Sequence, residues 1–154
     1  MKLIRLSKGK IAKVDDEDYE WLMQWKWSFD GKYAQRYFCE TKNMKMHRQI
    51  MDAKDGEQVD HINQDKLDNR RANLRLCTDT ENKRNSPLRK DNTSGYKGVY
   101  FEKSKRKWHT HIAINGKIIY LGLYETAEEG ARVYDDAARK YFGEFASPNF
   151  RDTP

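Results

Sequence analysis

Two T-x-x-E sequences constrain this chain more than anything else in it, because each marks where a helix must begin. Thr78 with Glu81 and Thr126 with Glu129 read as capping boxes, in which the threonine hydroxyl and the glutamate carboxylate each satisfy a backbone N–H at the helix start. Both boxes follow short segments that alternate apolar and polar residues, the period of a strand with one face covered. The chain therefore reads as two successive strand-then-helix units within 154 residues.

Such small units bury little core. Only 37% of residues are hydrophobic against 35% charged, so packing should be thin, while four Trp and nine Tyr exclude a disordered chain. The 30 Lys and Arg outnumber the 24 Asp and Glu, for a formal charge of +6, which favours a polyanionic partner. Residues 86–126 hold eight basic side chains and three acidic ones, whereas residues 127–154 hold four and six. Charge gathered on one segment is how a binding face looks. The two cysteines, Cys39 and Cys77, make neither a four-cysteine zinc site nor a secreted scaffold, and both are expected to be buried free thiols. No apolar run is long enough for a signal peptide or a membrane span, so a cytoplasmic protein is expected, phage-encoded or of a bacterial host cell.

Along the first half, residues 3–14 read as a hairpin around Gly9, and the acidic run 15–18 opens a short helix with Tyr19, Trp21, Leu22 and Trp25 on its apolar side. A second hairpin over residues 27–39 turns at Asp30-Gly31. Residues 44–51 suit strand or helix, and helix is preferred. A strand over 58–62, a polar loop, a strand over 73–77 and the helix opened at Thr78 then follow, with Asn82 in its first turn. Residues 85–94 read as a linker. Beyond it come strands over 96–102, 108–114 and 117–124, the last two joined by Asn115-Gly116, a type I′ hairpin signal. The final helix carries Ala127, Ala131, Tyr134, Ala138, Tyr141 and Phe142 toward one sheet face, leaving the other face open and basic.

The segment VDHINQDKLDNRRANLRLCTDTEN, residues 59–82, holds what single-metal phosphodiester hydrolysis requires. His61 is the candidate general base. Asp60 and the amide oxygen of Asn82 are the candidate ligands of one divalent cation, Mg²⁺ by preference, since both offer hard oxygens. Adjacent strand residues point to opposite faces, so sharing one site requires the strand to end or bulge at Asp60 and His61. Asn85 is a second asparagine near the helix, though Asn82 fits the spacing better. His47, His109 and His111 are by default structural or DNA-facing.

Asp60-His61, then Asn73 twelve positions on and Asn82 twenty-one on, resembles the HNH endonuclease family, in the phage and intron-homing branch with asparagine as third motif residue. Met46-His47-Arg48 matches an upstream element of that family, and the resemblance spans residues 44–85. It implies a ββα-metal nuclease domain over residues 1–85 with its motif core at 58–85. It also implies that Asn73, in the catalytic group with His61, ties the loop and orients the histidine without touching substrate.

Residues 94–150 carry Y-K-G-V, K-W, Y-L-G-L-Y, T-A-E-E-G-A-R-x-Y-D and a terminal N-F in order, and resemble the ethylene-response-factor (APETALA) type of DNA-binding domain. The resemblance implies a three-stranded antiparallel sheet packed on one helix, its open face in the major groove of double-stranded DNA. It places Lys97, Tyr100, Lys103, Lys105, Arg106, Trp108, Thr110, His111 and Tyr120 at the DNA. Plant members have arginines where this chain has Tyr100 and Glu102, so base specificity does not carry over. The whole is then an α+β protein, with a nuclease domain over 1–85, a linker over 86–93 and a DNA reader over 94–150. The expected activity is a DNA endonuclease needing no small-molecule cofactor and no membrane. The alternative is a non-catalytic DNA-binding protein that keeps the nuclease fold as a scaffold.

Overall fold

The computed structural model describes residues 1–39 and 42–150, and the chain divides into two compact units, Met1–Lys83 and Arg84–Pro154. Its elements are small antiparallel sheets with few helices.

In the first unit, β1 (Lys2–Arg5) and β2 (Ile11–Val14) pair around a tight 3-10 turn at Ser7–Gly9. Helix α1 (Asp16–Leu22) starts in its acidic run, where negative side chains meet the positive helix end. A second sheet orders β3 (Ser28–Phe29), β4 (Ala34–Cys39) and β5 (Lys42–Lys45). Residues 44–51 thus divide between the end of β5 and the short helix α2 (Met46–Ile50). Strands β6 (Gln58–His61) and β7 (Leu74–Cys77) form the third sheet, and α3 (Asp79–Arg84) follows.

These pieces share one core of Ile4, Leu6, Val14, Leu22, Trp27, Met46, Ile50, Val59 and Leu74. Among the described residues no sheet exceeds three strands, so each is stable only through the apolar face it shares with the others. Trp27 donates its ring N–H to the Leu22 carbonyl at 2.8 Å, which satisfies its polar atom inside that core. Arg71 grips buried Asp18 with two bonds, 2.9 and 2.7 Å, tying α1 to the loop before β7. Cys77 is only half-buried, which corrects the expectation of a buried thiol, because β7 ends there. The side chain of Cys39 lies outside the described residues.

In the second unit β9 (Lys107–Ile114) is central, with β8 (Val99–Glu102) and β10 (Lys117–Tyr124) on either side. Asn115 and Gly116 both take positive φ, 51° and 78°, as a type I′ turn demands. Helix α4 (Ala127–Phe142) opens with the complete Thr126–Glu129 capping box. It buries Gly130, Ala131, Asp135, Ala137 and Ala138, whereas Tyr141, expected in the apolar stripe, is exposed. A β-carbon on Gly130 would stand 2.4 Å from the Thr110 hydroxyl, so it is glycine, more than alanine, that seats α4 on the sheet. Buried Asp135 accepts the backbone N–H groups of Asn149 and Phe150 at 2.7 and 2.8 Å. Asn149 in turn accepts from the Lys97 N–H at 2.7 Å. The Y-D and N-F motifs are therefore two ends of one clasp. Among the described residues, no helix is long and apolar enough to cross a membrane.

Candidate functional site

His61 closes β6 in unbroken register: Asp60 stands opposite Arg75, and His61 opposite Leu74. The strand ends at His61 without the bulge that was the other possibility, so the two side chains leave on opposite faces. Asp60 is 1% exposed, and Arg75 donates to its Oδ2 from Nε at 3.1 Å and from Nη2 at 2.7 Å.

On the other face His61 is fully buried. Its Nε2 lies 3.2 Å from Oδ1 of Asn69, whose own Nδ2 donates to the Leu67 carbonyl at 3.3 Å. That second bond turns the acceptor end of the amide toward the ring. An acceptor there puts the imidazole proton on Nε2 and the lone pair on Nδ1. Burial lowers the His61 pKa to about 4, against the opposing Asn69 bond and with help from the Lys66 charge. The ring is thus neutral near pH 7, the form that accepts a proton. His47 packs edge-on at 5.0 Å between ring centres, with Tyr33 4.9 Å beyond it. Burial and the neighbouring His61 lower the His47 pKa to about 3.

The Met46-His47-Arg48 run now has a physical explanation. Met46 is core, His47 abuts the His61 ring, and Arg48 donates to the carbonyls of Glu57, Lys54 and Ala53 at 2.5, 2.9 and 3.3 Å. Arg48 thereby closes the loop that leads into β6.

Asn73 accepts from the Asn63 N–H at 2.9 Å and donates to the Asp68 carbonyl at 2.7 Å, so both ends of its amide hold the loop. The resemblance gave Asn73 the orientation of the histidine as well; at the ring itself Asn69 Oδ1 lies against Nε2. Asn82 is half-buried in α3, where its N–H donates to the Thr78 carbonyl at 3.0 Å. Asn85 falls one residue beyond the helix end. Among the described residues, no group of three or more His, Cys, Asp or Glu side chains is set to hold a metal ion. The candidate donors, Asp60 and Asn82, are one carboxylate and one amide on separate elements.

In the second unit, register decides which candidate residues face outward. Thr110 pairs with Val99 and Gly122, is fully buried and lies against Gly130. It has no surface to offer DNA, which corrects its placement there. Trp108 shares that covered face, edge-on to Phe101 at 5.2 Å, and so does not belong to the open one. Tyr100, His109, His111 and Tyr120 do. His109 stacks on Tyr100 at 4.6 Å and lies 4.8 Å from Tyr120, and His111 meets Tyr100 at 5.8 Å. The open face is therefore aromatic and imidazole-rich, not basic. Glu102 shares it, opposite Lys107, and the Lys107 ammonium pairs with Glu125 at 2.7 Å. The Lys97 ammonium donates to Ser147 Oγ and carbonyl at 2.6 and 3.0 Å, in place of a phosphate. The exposed cations, Lys103, Lys105 and Arg106, sit in the β8–β9 turn.

Sequence reasoning missed Asn69, Arg75 and the His47–His61 contact, and left His109 between a structural and a DNA-facing role. A clue to Asn69 lay in the sequence: a short, doubly hydrogen-bonding side chain inside the loop that returns to the histidine.

A family model described as HNH endonuclease matches residues 47–84. An uncharacterized HNH endonuclease of Acanthamoeba polyphaga mimivirus is 31% identical over 153 residues, 96% of this chain and 79% of that protein. Protein 3.8 of Escherichia phage T7 is 31% identical over 110 residues, 68% of this chain and 90% of its own. An APETALA2-like protein of Oryza sativa is 45% identical over 58 residues, 38% of this chain but only 13% of that protein.

Proposed function

Since this chain belongs to the HNH endonuclease family, we propose that it is a metal-dependent endonuclease hydrolysing phosphodiester bonds in double-stranded DNA. His61 would serve as general base, and residues within 58–85 would hold one divalent cation. The observation that carries this reading is the buried His61, neutral near pH 7, whose Nε2 faces the Asn69 amide oxygen at 3.2 Å, an arrangement that leaves the ring's lone pair on Nδ1. Asp60 and Asn82 would hold the cation, and two oxygen donors suit a hard ion such as Mg²⁺. Such an ion, when bound, stabilises the negative charge that grows on the phosphate. Asn73 holds the loop that carries the histidine.

The second unit selects the site. Its exposed turn, Lys103, Lys105 and Arg106, meets phosphates, while Tyr100, His111 and Tyr120 face the base edges. Relatives from a virus and a phage support a phage-encoded enzyme acting in a host cell, free-standing or homing.

One observation favours the second reading, a DNA-binding protein that keeps the fold as a scaffold. Asp60 is closed to solvent and gripped by Arg75, so it must be shared or released to meet a cation. Supercoiled plasmid incubated with the protein, with Mg²⁺ and with EDTA, separates the two readings. Nicking that needs the metal and vanishes in His61→Ala supports the nuclease. Shifted bands without nicking, at any metal, leave the scaffold.

A further inference from the structure

We infer that Asn69 is the residue that selects the working tautomer of His61, and that the N-terminal hairpin clamps it there. This rests on the nuclease reading only for its consequence in catalysis; the tautomer itself is a property of the folded protein.

Asn69 is fully buried, an expensive place for an amide unless its polar atoms are used. Oδ1 faces His61 Nε2 at 3.2 Å and Nδ2 donates to the Leu67 carbonyl at 3.3 Å. A flip of the amide would set Nδ2 against the ring and Oδ1 against a carbonyl, an acceptor against an acceptor. The amide is therefore locked in one sense. Locked in that sense it accepts from Nε2–H, and the lone pair stays on Nδ1.

The lock depends on a distant piece of chain. Lys13 on β2 donates its N–H to the Leu67 carbonyl at 2.8 Å and accepts the Asn69 N–H at 2.8 Å, a parallel bridge centred on Lys13 and Asp68. The two backbone bonds hold both residues that position the amide: Leu67, its acceptor, and Asn69 itself. The grip on Leu67 and Asn69 is made by backbone atoms, beside an exposed ion pair of the Lys13 ammonium with Asp65 at 3.3 Å, so it depends chiefly on the path of β2. The hairpin of residues 2–14 thus reaches the active centre without placing a side chain in it.

Asn69 touches neither substrate nor cation in this scheme; it is a positioning residue that acts through His61. The test uses full-length protein labelled with ¹⁵N in histidine and reads the ring nitrogens of His61 by long-range ¹H–¹⁵N correlation, beside nicking rate and DNA affinity. Wild type should show the Nε2–H form. Asn69→Asp keeps an acceptor toward Nε2 and should keep a proton there, though its second oxygen meets the Leu67 carbonyl where the amide donated, whereas Asn69→Leu removes the acceptor and should give a mixture. Nicking at saturating DNA should fall on the order of 10²-fold in Asn69→Leu, at the low end of what a general base contributes, and recover in part in Asn69→Asp. DNA affinity should stay unchanged in both. Lys13→Pro, which deletes the backbone donor, should reproduce the Asn69→Leu spectrum. An Nδ1–H ring in wild type overturns the inference even if a variant fails to fold, as does an unaltered spectrum in folded Asn69→Leu. Persistent nicking in His61→Ala removes His61 as the base in the nuclease reading instead, and leaves the tautomer assignment standing.

Discussion

At the scale of single residues, the site is built from buried polar groups that pay for their burial in pairs. Asp60 and Arg75 are 1% and 10% exposed at the side chain. Removing the cation from such a pair strands a carboxylate in a poor solvent, so Arg75→Met should cost about 3–5 kcal/mol. Urea unfolding at neutral pH measures it, and a loss below about 1 kcal/mol would mean that solvent reaches Asp60 after all. His61→Ala should abolish nicking while DNA binding survives, because the phosphate contacts belong to the other unit; equal loss of both in a filter-binding and nicking series would refute that division. Asp60, His61 and Asn82 could be proposed from the sequence because their side chains offer hard oxygens and a base, whereas Asn73 was named only through the family resemblance. Asn69 was not, because a hydrogen bond to a ring eight residues away depends on how the loop folds back.

At the scale of elements, the covered face of the second sheet yields a sharper test than the open one. Thr110 is fully buried and its hydroxyl has no hydrogen-bond partner, so Thr110→Val replaces an unsatisfied polar atom by a methyl group of similar shape. Stability should hold or rise by about 1 kcal/mol, with DNA affinity unchanged; weakened binding would return Thr110 to the interface. Gly130→Ala should destabilise by about 1–3 kcal/mol through overpacking against the same hydroxyl, and Thr110→Ala in that background should recover part of the loss. Thermal unfolding of the two single variants and the double variant decides. The capping boxes, the strand alternation and the type I′ turn were all readable, since each is set by neighbours in sequence. Which strand face the helix covers was misread for Thr110 and Trp108, because alternation defines two faces and leaves open which one a later helix will cover.

At the scale of the whole molecule, protons and salt act on different units. His47 is buried, with a folded pKa near 3 against about 6.5 in an unfolded chain. Below pH 6.5 the unfolded chain takes up a proton that the folded one refuses. The stability tied to His47 is therefore complete above pH 6.5 and is lost progressively as pH falls toward 3. His47→Leu should reduce the slope of the midpoint-versus-pH curve of the first unit between those limits by one proton's share, leaving the share of His61, whose pKa is lowered to about 4; an unchanged slope would assign the acid sensitivity elsewhere. Salt should weaken DNA binding through counterion release, with each phosphate contact adding roughly 0.9 to the log–log slope. Replacing Lys103, Lys105 and Arg106 together by Ala should lower that slope by about 2–3 while preserving the preferred site, as titrations at several salt concentrations would reveal.

By itself, the sequence determined what is local: where helices begin, which segments alternate, and in what order the side chains able to do acid–base chemistry stand. These follow from hydrogen bonds and periodicities spanning a few residues. Tertiary structure alone decided which amide meets the His61 ring, which arginine holds Asp60, and that the open sheet face is aromatic with Lys103, Lys105 and Arg106 in a turn. Each of these depends on backbones brought together from distant stretches, as Lys13 is to Leu67 and Asn69, or Thr110 to Gly130. No spacing along the chain encodes that meeting; it is set by how several small sheets, none stable alone, share their apolar faces.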